Sequence, residues 1–143
     1  MKRLASAFAV SLVLVLTIRT NAQTANPSAA DSAAVEATVR NYIEAYYNGD
    51  ARRMQQTLHP RYLKHIIDGD SPLREKTASQ MVKDVSTKPS LPAADKTEQI
   101  SVLDIAGDIA SAKLVTPHWV DYLSLSKVDG QWKILSVVQR IED

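Results

Sequence analysis

The order of patterns along this chain predicts an α+β domain, with helices packed on one face of a curved, mainly antiparallel sheet. Three observations carry that expectation. Early in the chain Val35, Val39, Tyr42, Ile43, Tyr46 and Tyr47 recur at helical spacing, so a helix buries a stripe that carries hydroxyls. From residue 99 onward the apolar positions change to period two and stay there. Asp129-Gly130 then joins the last two runs, a dipeptide suited to the positive φ angles of a tight hairpin turn.

Each element has its own signal. Lys2 and Arg3 precede an apolar run over residues 4–18, and Thr20-Asn21-Ala22 supplies small residues before a cut at Gln23. Residues 1–22 therefore read as an export signal, which places the mature protein in the periplasm or outside the cell. The alternative is an uncleaved anchor, because Arg19 interrupts the approach to the cut. Residues 23–30 are small and polar, contain Pro27, and form a flexible leader; residues 31–143 form a single domain. Asp31 or Ser32 caps the first helix, Gly49 ends it, and Asp50 caps a second. That second helix is short, buries Met54 and Leu58, and is stopped by Pro60 near His59.

Residues 62–67 read as a first strand closed by Asp68-Gly69-Asp70-Ser71-Pro72. Thr77-Ala78-Ser79-Gln80 is a capping box opening a third helix, with Met81, Val82 and Val85 inside and Pro89 at its end. After a loop, residues 99–106, 108–116, 120–128 and 131–141 form an antiparallel meander, bent at Thr116-Pro117-His118. The last of these runs is apolar on both sides, with Trp132, Ile134 and Val138 in one row and Leu135, Val137 and Ile141 in the other. Helices cover only one face, so the second row predicts a homodimer through the sheet.

Composition removes several classes of function. Without Lys2, Arg3 and Arg19 the 17 basic residues become 14 against 16 acidic ones, and the formal charge of +1 becomes −2. No basic run remains to track a phosphate backbone, which argues against nucleic acid as a partner. The chain has no Cys, hence neither a disulfide nor a thiol nucleophile. Its three His lie on separate elements without the spacing of a metal site, and no cofactor motif is present.

The helix end at residues 42–50, the Leu58-His59-Pro60 turn and the hairpin from Trp119-Val120-Asp121-Tyr122-Leu123 to Asp129-Gly130-Gln131-Trp132-Lys133-Ile134 resemble the nuclear transport factor 2-like superfamily. This resemblance implies a cone-shaped fold enclosing a pocket. The hairpin and the His-Pro turn are most similar to its putative lumazine-binding branch. A weaker resemblance, to the ketosteroid isomerase branch, aligns Tyr42 with a catalytic Tyr and Asp121 with an oxyanion-hole Asp. At the register of that branch's general base this chain has Ile66, with His65 beside it.

Asp121 is the leading candidate site residue. Counting by two, it shares a face with Trp119, Leu123 and Leu125, and so points inward. A carboxyl in an apolar cavity has its pKa raised and can donate a hydrogen bond; the alternatives are that Asp121 lies at the pocket mouth or that it pairs with Arg or Lys. Tyr42 and Tyr46 line the same hollow, with Tyr62, His59, His118 and Trp119 completing the ligand-binding set. His65 is the candidate base, although it falls in register with Leu63 and Ile67.

These residues support three readings. The first is a binding domain for a small apolar or aromatic molecule between the first helix and the sheet. The second is a proton-transfer enzyme, an isomerase or dehydratase with Tyr42, Asp121 and His65 as catalytic residues, which requires His65 and Asp121 to face one cavity. The third is an interaction module whose pocket is filled by its own side chains.

Overall fold

The computed structural model describes residues 29–142; the expected export signal and the part of the expected leader before Ala29 lie outside the described residues. Helix α1 (Ala29–Asn48) buries Val35, Val39, Tyr42, Ile43, Ala45 and Tyr47. It ends where Gly49 takes a φ of +67°, and the Asp50 N–H then donates to the Ala45 carbonyl. The Asp50 carboxylate accepts from the Arg53 N–H at 2.9 Å and starts α2 (Ala51–Thr57). No helix among the described residues is long and apolar enough to cross a membrane.

Strand β1 (Leu58–Ile67) follows α2 directly. Leu58, His59 and Pro60 were expected to finish the helix, yet Leu58 is already extended at φ −84°, ψ 142°. Pro60 is tolerated because the pairing of β1 slips between Leu58 and Leu63, where no ladder N–H is required of it. A short strand β2 (Arg74–Thr77) pairs antiparallel with β1, unannounced because its residues are charged and carry no apolar alternation. The Thr77 and Gln80 capping box then opens α3 (Ala78–Ser86), and a single 3-10 turn at Ala93–Asp95 leads into the meander.

The meander is β3 (Gln99–Ala106), β4 (Ile109–Val115), β5 (Trp119–Val128) and β6 (Gln131–Ile141). The sheet order is β2-β1-β6-β5-β4-β3, with β1 parallel to β6 and every other pair antiparallel. The helices cover one face, where Val39, Ile43, Met54, Leu114, Leu123, Leu125, Ile134 and Val137 form the core.

A bulge in β6 alters which residues face inward. Ile134 pairs with Leu125 and Ser136 with Ser124, so Leu135 is an extra residue. Trp132 and Ile134 are buried before the bulge; Val137 and Gln139 are buried after it, while Leu135 and Val138 are exposed. The two apolar rows of the sequence thus exchange members at Leu135. On the uncovered face Tyr122 lies opposite Val138, which lies opposite His65.

Gly49 tests the backbone account. A Cβ there would sit 2.5 Å from the Lys88 carbonyl oxygen, at a φ that side chains rarely adopt. Gly49→Ala should cost about 2–3 kcal/mol, measured as a lower urea midpoint with an unchanged slope.

Candidate functional site

Period two along β1 turns Tyr62, Lys64 and Ile66 toward the helices and leaves Leu63, His65 and Ile67 on the other side. Lys64 is thereby buried, at 4% exposure, beneath α1. Its Nζ donates to the Tyr42 hydroxyl at 2.9 Å and to Asp121 Oδ1 at 3.4 Å. The ammonium lies 5.6 Å from the centre of the Tyr42 ring, beyond the hydroxyl, so the contact is a hydrogen bond rather than a cation over a π face.

Asp121 is fully buried. Burial pushes its carboxyl above the ordinary range while Lys64 pulls it back; burial pushes the Lys64 amine below its ordinary range while Asp121 opposes. Burial likewise raises the Tyr42 and Tyr62 phenols, which stay protonated.

Three buried polar atoms here have no hydrogen-bond partner among the described residues: Asp121 Oδ2, the Tyr62 hydroxyl and the Trp119 indole N–H. Gln139 and Trp119 face Asp121 closely enough to favour its charged form, and Tyr62 faces Tyr42, but none achieves good bonding geometry.

A cavity of about 110 Å³ opens above this cluster. Tyr42 and Tyr46 line it from α1, Lys64 and Ile66 from β1, Met81 from α3, Trp119 from β5, and Gln139 and Ile141 from β6, with Lys76 at its edge. At about 30 Å³ per water in the liquid, that volume holds a few waters or a molecule of a handful of heavy atoms. Tyr46 and Trp119 meet edge to face at 5.4 Å and separate this cavity from a second of about 210 Å³, which His118 lines.

The remaining candidates lie apart. His59 lines a larger groove of about 690 Å³ between the start of β1 and α3, where its Nδ1 accepts from the Arg61 N–H. That groove shares no residue with the inner cavity and contains none of the unpartnered buried atoms, so size does not mark the site. His65 is on the uncovered sheet face, its Nε2 3.0 Å from Glu75. The proton-transfer scheme thus loses its base, since the alternation that buries Lys64 turns His65 away from Asp121. Lys64 itself was missed, because a lysine inside an alternating run reads as solvated; its register with Tyr62 and Ile66 was the available signal.

Helices on a bent mixed sheet, with a polar cluster beneath α1, define a nuclear transport factor 2-like domain. The chain belongs to the Putative lumazine-binding family, which matches residues 30–139. Compared with curated proteins, it matches none. Among solved structures it is similar to a nuclear transport factor 2-like protein of unknown function from Shewanella baltica, at 18% identity and TM-score 0.69, over 82% of this chain and 99% of that one. A similar protein of unknown function from Silicibacter pomeroyi aligns at 19% identity and TM-score 0.66, over 77% and 94%. A ketosteroid isomerase-like protein from Erwinia carotovora atroseptica aligns at 11% identity and TM-score 0.58, over 81% and 99%. At these identities the structures establish the shared fold.

Removing the carboxylate isolates the effect of the pair. Asp121→Asn leaves Lys64 buried without a counter-charge and should cost roughly 3–5 kcal/mol. Its amine pKa then falls further below the ordinary 10.5, so the unfolded chain binds more protons than the folded one. Stability of this variant should therefore rise with pH, from the folded-state pKa up to about 10.5, as read from urea midpoints across that window. A profile parallel to that of wild type across this window would contradict the pairing.

Proposed function

We propose that this domain binds a small, largely apolar or aromatic molecule in the inner cavity, with one polar atom of the ligand facing Lys64, Tyr42 and Trp119. The observation that carries this reading is the hollow itself, where the Lys64 and Tyr42 side chains, hydrogen-bonded to each other at 2.9 Å, interrupt walls otherwise made by Ile66, Met81 and Ile141. A ligand bound there exchanges apolar area with the walls and supplies hydrogen bonds at the floor. Membership in the Putative lumazine-binding family supports a small-molecule ligand. The charged pattern of residues 1–22 supports delivery of the domain to the periplasm or beyond.

Native mass spectrometry of the purified protein should reveal a retained small molecule. Tyr42→Phe removes the hydroxyl that engages Lys64 and should weaken retention by about 1–2 kcal/mol. Ile141→Trp places an indole across the cavity and should abolish it. Equal retention in both variants would count against this site.

The uncovered sheet face supports a second proposal, a homodimer. Tyr122 is 52% exposed, Val138 45% and Ile67 43%, and they lie on neighbouring strands of one face. Burying them against a second copy removes an apolar patch from water. Val138→Glu should convert a dimer to a monomer in sedimentation velocity without changing the far-ultraviolet circular dichroism spectrum.

A further inference from the structure

We propose that Lys64 is a nucleophilic amine that captures small aldehydes or ketones in the inner cavity as imines. This rests on the binding reading above and specifies its ligand chemistry. Geometry is the first argument. Lys64 Nζ has three hydrogens when charged; two are directed at Tyr42 and Asp121, and the side chain lines the cavity. Two amines line the cavity, Lys64 and Lys76, and Lys64 is the one buried against Asp121.

The surroundings also suit the chemistry. Desolvation favours the neutral amine and outweighs the opposing pull of Asp121, with the positive charge of Lys76 adding a smaller push in the same direction. The ionisable groups facing Lys64 come from every packed element that carries one: Tyr42 on α1, Tyr62 on its own strand, Lys76 on β2 and Asp121 on β5. From β6 the facing residue is neutral Gln139, and from α3 it is Met81.

The step balances without another reactant. The Lys64 ammonium first gives one proton to Asp121 Oδ1, its neighbour at 3.4 Å. The freed Nζ lone pair bonds to the carbonyl carbon as the C=O π pair moves to oxygen, which takes that proton from Asp121. The nitrogen, now positive with two hydrogens, gives one to the Asp121 carboxylate, and passage of this second proton to the carbinol hydroxyl lets it depart as water, leaving a protonated C=N bond beside the carboxylate. Amine plus carbonyl gives imine plus water, with no change of oxidation state. The cavity volume of about 110 Å³ restricts the partner to a compound of a few heavy atoms.

The test is reductive trapping on the intact wild-type protein with acetaldehyde and cyanoborohydride near neutral pH, followed by peptide mapping. Lys64 should carry an ethyl group at an occupancy about tenfold above that of exposed Lys83, although accessibility alone would favour Lys83. Lys64→Arg keeps a cation beside Asp121 and should abolish the adduct at that position; if this variant does not fold, the wild-type map decides alone. Labelling of Lys64 equal to or below that of Lys83 overturns the proposal. Retention of a small molecule in native mass spectrometry, without preferential labelling, leaves a non-covalent binding site and removes the nucleophile. Loss of both removes the two readings together.

Discussion

The contact between Lys64 and Asp121 is the constraint to which the rest of the domain answers. Both groups are almost wholly withdrawn from water, and neither is tolerable there without the other. Their positions come from different parts of the chain, one from the strand that follows the helices and the other from the middle of the meander. The parallel pairing of β1 with β6, and the antiparallel pairing of β6 with β5, are what bring them within reach. The α1 helix completes the arrangement by supplying the Tyr42 hydroxyl, so the helical layer is bound to the sheet by polar as well as apolar contacts.

Local irregularities decide which side chains meet. Had β6 run regularly, Val138 and Arg140 would continue the inward row begun by Trp132 and Ile134. The extra residue at Leu135 puts Gln139 and Ile141 there, with Gln139 opposite Asp121. The same bulge delivers Val138 to the uncovered face beside Tyr122. One inserted residue thus shapes both the cavity floor and the patch proposed for dimerisation. The slip around Pro60 does comparable work in β1, ending α2 early while leaving Tyr62, Lys64 and Ile66 in inward register.

Much of the architecture was legible because it depends on signals within a few residues of one another. The Gly49 stop, the Thr77 capping box and the Asp129-Gly130 turn are local chemistry, and period two is enough to turn Asp121 inward. The site was legible only in part. Tyr42, Tyr46 and Trp119 line the cavity and Asp121 lies beneath it, as their spacing suggested. The partner of Asp121 was hidden because pairing between strands distant in sequence leaves no local mark, and because lysine is ordinarily a surface residue. The β6 rows were misassigned for a related reason: a bulge is a property of two paired strands, and a single strand's alternation does not contain it. Strand β2 was invisible because an edge strand of charged residues carries no hydrophobic period.

Energetics bears on whether this cluster is simply core. An unsatisfied buried polar group costs about 1–3 kcal/mol, and a domain of this size has a net stability of about 5–15 kcal/mol. Asp121 Oδ2, the Tyr62 hydroxyl and the Trp119 N–H, bonded poorly where they are bonded at all, carry a penalty that subtracts from that margin. A filled core of equal volume, with Leu or Met at position 64, would avoid it and relieve the desolvation of the ion pair. The chain instead keeps a lysine, a carboxylate and an indole N–H around a hollow bordered by apolar walls. Stability alone does not account for that choice; the binding proposed above would, because a polar atom of the guest would stand in for the water that Lys64 and Tyr42 gave up on folding.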